Sequence, residues 1–396
     1  MPVIANVGIR RCEIRRVAPA RMSLLTVFTV VAVLVPACHD PEPSAGESAC
    51  FGNGIVHVCL EAALTVPLMI SKRRLLDTDS SPMCVPVLNG KNYCVIAGTT
   101  IAVDARLRAT GSRPLVLIAS DSISVTALID VGSSGASDPE IGAGAEPVSC
   151  PGTNARPGVA GGGAGGSFVA EGGAGGASSG AGGLPGAATT VISELRGGCP
   201  GQSGQGSGGG RGGHGGGAVY LIAGQRIIVI GEINASGESG NGGMGPMSGG
   251  GGAGAGGMIG LDAPTITGDA LILANGGGGG EGSDDDADGI RGQDPNSIDA
   301  ATGGNGGADG GGDGGDGADA VTLARAGGAG RAGGGGGGGG ATGLVIAPAG
   351  AMLGTQVSPP PTPRAPRARP RPTKTPQEGA IRHRPSRDDS DDVGGA

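Results

Sequence analysis

The 396 residues include 90 Gly and 28 Pro but no Trp, two Tyr and three Phe, with 16% charged residues and a formal net charge of -8. Glycine at more than three times its usual ~7%, combined with so little charge, excludes both an ordinary globular enzyme and a charge-rich disordered chain. Gly keeps no strict third-position register, which excludes collagen, and a single long apolar run excludes a multi-span membrane protein.

Residues 1–38 read as an export signal. Arg10, Arg11, Arg15, Arg16 and Arg21 form a basic region ahead of the apolar stretch Leu24 to Val35, which has signal-peptide length. Translation from Met22 is the alternative start and discards those arginines. Leu34-Val35-Pro36-Ala37-Cys38 has the form of a lipobox, although Pro36 is untypical there. The expectation is lipidation at Cys38, the alternative being ordinary cleavage near Ala37 and a secreted chain.

Residues 39–94 read as a cysteine-containing N-terminal cap. Cys50, Cys59, Cys84, Cys94, Cys150 and Cys199 are an even number, as an oxidising compartment favours. Sequential pairing closes each loop at the lowest entropy cost, so Cys50–Cys59, Cys84–Cys94 and Cys150–Cys199 are expected. Zinc is the competing reading, but the chain has no CxxC pair and its four histidines are scattered.

Residues 95–350 repeat. Ile96 to Ala109 matches Ile118 to Val131 at an offset of 22, and the pattern returns from Ile222 and from Leu261, with a fragment at Leu344 to Ala347. Each copy has a short apolar strand, a polar turn and then strict alternation, the mark of a strand with one buried face. The expected fold is an all-β parallel β-solenoid whose copies shelter one another's apolar sides. Ile228, Ile230, Leu271 and Leu273 fall at outward positions and are expected to form an apolar stripe covered by a Gly-rich insertion or another chain.

Three Gly-rich tracts interrupt the copies at 151–217, 237–257 and 275–343, and 75 of the 90 glycines lie between 151 and 350. Flexible coil and packed helices of three residues per turn both suit such tracts. Either way, the insertions are expected to project from one edge of the solenoid. Asp284, Asp286, Asp288 and Gly289 match the start of a DxDxDG loop and Asp294 follows, so Ca2+ is the cofactor considered, although position twelve is Pro295 and not Glu. The alternative is a solvated acidic loop. A second acidic stretch, Gly311 to Gly317, resembles a single RTX-type nonapeptide without tandem copies.

Residues 351–396 read as a disordered Pro/Arg-rich tail. Arg364, Arg367, Arg369, Arg371, Lys374, Arg382, Arg384 and Arg387 suit an anionic polysaccharide or lipid headgroups, while nucleic acid does not suit an exported acidic chain. No GxSxG, SxxK or HExxH nucleophile or metal motif occurs, and aromatic platforms for sugars are missing.

The lipobox, the DTDSSPMC and NYCVIAGTTIAVDARLRATG stretches, and PLVLIASDSISVTALIDV followed by GGAGG insertions resemble the glycine-rich predicted lipoproteins of myxobacteria over residues 38–350. The Gly tracts resemble mycobacterial PE-PGRS proteins in composition only, with no PE-type helical domain. The reading is therefore a lipid-anchored cell-envelope protein with a structural or adhesive role, no catalysis, and the capacity to oligomerise. A calcium-dependent adhesin and a polysaccharide-active enzyme are the alternatives.

Overall fold

The computed structural model describes residues 49–364 apart from 89–90, 136–140, 151 and 153–155. The described residues form strands and no helix. Two of the strands, β1 (Ala49–Phe51) and β2 (Val58–Leu60), make an antiparallel pair. The remainder fall into two sheets in which every pairing between strands is parallel. Numbered in chain order, the larger sheet holds β3 (Leu68–Ile70), β5 (Cys94–Val103), β7 (Leu115–Val125), β9 (Ala218–Ala223), β10 (Arg226–Val229), β12 (Met258–Asp262), β13 (Thr265–Gly268), β15 (Leu344–Pro348) and β17 (Thr362–Arg364). The smaller one runs β4 (Arg74–Asp77), β6 (Leu107–Thr110), β8 (Leu128–Asp130), β11 (Glu232–Asn234), β14 (Leu271–Leu273) and β16 (Val357–Ser358).

The sequence repeat is the strand register. Ile101, Ile123, Ile227 and Ile266 pair across successive strands in one column of the larger sheet. Leu107, Ile129, Ile233, Ile272 and Val357 form the corresponding column of the smaller sheet. The two columns join a single apolar cluster, and its isoleucines are all at most 3% exposed. Each such side chain removed from water contributes roughly 1.5–3 kcal/mol, so this seam is the main apolar stabiliser of the fold.

Strands β7 (in its first half), β9, β12 and β15 are buried on both faces, which is why they read as nearly unbroken apolar runs such as Leu115 to Ala119 and Ala218 to Ala223. Their outward side chains Val116, Ile118, Tyr220, Ile222, Met258 and Ile346 join a second cluster with Val56, Val58 and Leu60 of the hairpin and with Phe168 and Leu195. Gly260 is needed there because the ring of its cross-strand partner Tyr220 occupies the place of a Cβ.

The expectation of a parallel β-solenoid with Gly-rich loops is corrected. A solenoid passes each coil straight into the next by a short turn, and here only β5–β6 to β7–β8 does so. The step from β4 to β5 runs through residues 78–93, and the other three leave after Val131, Ala235 and Ala274 and return at Gly217, Gly257 and Gly343, where the returning N–H bonds the carbonyl of the departing residue. The intervening chain builds a separate hydrogen-bonded body, so the architecture is two parallel sheets with a glycine body on one edge.

The proposed apolar stripe is also absent. Ile228 lies in the larger sheet between Ser124 and Thr267, whereas Leu271 and Leu273 lie in the smaller one. Leu273 is buried, and Ile230 is 60% exposed. The bend at Ile230-Gly231 separates positions that the alternation placed on one face. Residues 357–364, read from sequence as part of the tail, still supply β16 and β17.

Candidate functional site

Where side chains are missing, only backbone groups remain to hold chains together. The glycine body uses them with a three-residue period. Gly335, Gly338 and Ala341 donate to the carbonyls of Ala160, Gly163 and Gly166. Gly334, Gly337 and Gly340 donate to Ser283, Gly280 and Gly277, and Gly336 and Gly339 to Gly328 and Arg325. The carbonyls of the same rod accept from Gly312, Gly315 and Ala318, from Gly173 and Gly176, and from Gly250, Ala253 and Gly256. Each of the residues 334–341 thus both donates and accepts, and the rod touches six neighbouring segments. A period of three is that of an extended polyglycine helix, whose successive residues face three directions.

Burial follows from that packing. Residues 333–341 are all buried, and a Cβ on Gly336 would land on the carbonyl oxygen of Asp313. Longer side chains appear where a rod's third row faces outward, as at Ala174 and Ala177, Arg211 and His214, Arg291 and Asp294, Asp313 and Asp316, and Ala326 and Ala329, all half-buried or exposed. This spacing of three is the signal in the sequence that the tracts are packed rods.

One flank of the body carries charge. Glu238 is fully buried and takes Arg211 as an ion partner, the backbone N–H of His214 at 3.0 Å, and Arg291 at 3.6 Å. Arg291 also bonds Asp294 at 2.9 Å, and His214 Nδ1 lies 2.5 Å from Glu146. Glu281, 1% exposed, accepts from the N–H groups of Ile290, Gly307 and Ala308. These carboxylates satisfy backbone and guanidinium donors from neighbouring segments, as buried charge requires.

A polar row continues along the outer face of the smaller sheet. Asp130 holds Arg106 at 2.6 Å, Arg108 at 2.8 Å and the Asn234 amide at 3.2 Å. Glu232 beside them is pushed above the ordinary carboxylate range by burial and by the Asp130 charge, against the pull of Arg106.

The cysteines pair as Cys50–Cys59, Cys84–Cys94 and Cys150–Cys199. Arg196 packs against the last pair, 3.4 Å from Cys150 Sγ and 3.1 Å from Cys199 Sγ, with its guanidinium 5.0 Å from the Phe168 ring centroid. Burial lowers its pKa. Cys50, His57 and Cys59 lie within 4.8 Å of one another, but the two sulfurs are bonded together.

Of the four aspartates weighed for Ca2+, Asp284, Asp288 and Asp294 are engaged by separate segments, and Asp286 contributes only its backbone N–H, to Asp284. Asp284 accepts from the N–H groups of Asp286, Ala287 and Gly310, which hold its pKa below the usual carboxylate range. Asp288 accepts from Gly245, and Asp294 from Ser239 and Arg291. Among the described residues these four are not gathered into one cluster of ligand atoms. Cys38 and the tail cations beyond Arg364 lie outside the described residues. No protein-family profile, curated protein or solved structure matches this chain.

Proposed function

We propose that the chain is an exported structural or adhesive protein of the cell envelope, held there by a lipid on Cys38 and acting by binding and spacing, without a catalytic step. The observation that carries this reading is the rod 334–341, in which every peptide group is spent on neighbouring rods. Such a body commits its interior to rigidity and leaves only outward rows for contact. Three disulfides agree with an extracellular location, and among the described residues no helix is long and apolar enough to cross a membrane.

The anchor is tested by metabolic labelling with palmitate in a bacterial host. Label is expected on the wild type and absent from Cys38→Ser, with the variant moving from the membrane fraction to the medium. Unlabelled wild type found in the medium overturns the anchor.

A further inference from the structure

The chain from Val66 to Leu75 forms the terminal edge of both sheets, β3 closing the larger and β4 the smaller. Its exposed side chains are of two kinds. Val66, Met69 and Leu75 are each about two-thirds exposed, at 66%, 66% and 67%. Lys72, Arg73 and Arg74 stand between them, also exposed, and their side chains have no ion-pair or hydrogen-bond partner among the described residues. Three of the nearby acids are engaged elsewhere: Asp77 accepts from Ser80 and Asp79, Asp79 from Ser112, and Asp104 from Thr126, while Glu61 is exposed on the cleft it shares with Val66.

We propose that this edge docks on an anionic lipid surface, with the cations among the headgroups and Met69, on the outward side of the larger sheet, at the acyl boundary. Unpaired cations interleaved with large exposed apolar side chains are the composition that an interfacial segment needs. The course of the chain supports the same occupant. Ala49, where the described chain begins, pairs with Leu60, and Leu60 and Val66 line one cleft of 340 Å³. The chain therefore enters beside this edge, and Cys38 lies eleven residues upstream of Ala49, a reach of about 36–40 Å fully extended. The inference rests on the envelope location proposed above, and it adds a second, reversible membrane contact to the lipid.

The test uses the full chain carrying Cys38→Ser, so that no acyl group contributes, and sedimentation with phosphatidylglycerol-containing vesicles against pure phosphatidylcholine vesicles. Binding is expected only to the anionic vesicles and should weaken as salt rises. Adding Lys72→Gln, Arg73→Gln and Arg74→Gln should lower the partition coefficient roughly 100-fold, at about fivefold per cation. Because the chain has no Trp, Met69→Trp gives a single emission probe, expected to shift to the blue on the anionic vesicles. A triple-Gln variant that binds like its parent assigns the contact to other cations and overturns the proposal. So does an unshifted Met69→Trp emission at saturating vesicles. Palmitate labelling reports on the anchor independently, so failure of one reading is distinguishable from failure of the other.

Discussion

Gly336→Ala separates a packed glycine lattice from a flexible tract by the sign of its effect. In a coil, alanine is neutral or stabilises by about 0.4–1 kcal/mol, because it narrows the unfolded ensemble. In the rod, the new Cβ meets the carbonyl of Asp313, and Gly336 itself donates to Gly328 and accepts from Gly176. Overpacking of a rigid site costs about 1–3 kcal/mol, and each buried peptide group pushed off its partner costs about 1–3 kcal/mol more. With one or two bonds lost, the expected destabilisation is about 3–6 kcal/mol. Unfolding entropy near 2.1 cal/mol/K per residue over the ordered part of the chain turns this into a fall of roughly 5–9 °C in Tm. Differential scanning calorimetry of Gly336→Ala beside Ala177→Ser, on an exposed outward position, makes the comparison internal. The serine variant should stay within about 0.5 kcal/mol of wild type. An unchanged or raised Tm for Gly336→Ala refutes the lattice.

Three further outcomes follow from named contacts. Replacing both Cys150 and Cys199 by Ser should lower stability by about 4 kcal/mol, the chain-entropy value for a loop of 49 residues, measured by denaturant titration without reductant. Glu238→Ala should cost about 3–5 kcal/mol by the same measurement, since it leaves Arg211 and Arg291 without their buried counter-charge. Glu232 has a folded pKa above its unfolded one, so its contribution is fully present below the unfolded value and is lost as pH rises through the raised folded value. Glu232→Gln should remove that part of the pH dependence, which sets in as pH rises above the unfolded carboxylate value, and should melt higher than wild type once Glu232 is ionised. A variant whose stability tracks wild type across this rise contradicts the assignment.

The strand columns were legible because alternation of Ile and Val is a side-chain signal. Their register was legible only in part. The offset of 22 aligns Ile96 with Ile118, whereas Ile96 pairs with Leu117 and only after Gly98 does the offset become 22, with Ile101 opposite Ile123. A bulge at Gly98/Thr100 absorbs the difference, and one residue of slip exchanges the faces of every preceding side chain. Ile96 accordingly enters the seam between the sheets, while Ile118 packs outward against the hairpin and Phe168. Nothing in the alternation of either copy announces that bulge, because Gly98 and Thr99 fit an ordinary strand as well as an irregular one.

The route of the long connections was hidden for a different reason. A coil that returns directly and a chain that leaves for 21 to 85 residues present the same strands, and the difference lies in peptide groups that every residue carries. What side chains do record is where they are forbidden. Arg211 and His214, Arg291 and Asp294, and Asp313 and Asp316 are each three apart, and each pair lies on one outward row. The run 333–340 has no such row because its rod has neighbours on all sides and no direction is left for a Cβ. Glycine content alone therefore does not distinguish coil from lattice, but the phase of the exceptions does. The prediction for Gly336 draws its sign from that phase, since residue 336 falls in the row that donates to Gly328 and lies against Asp313.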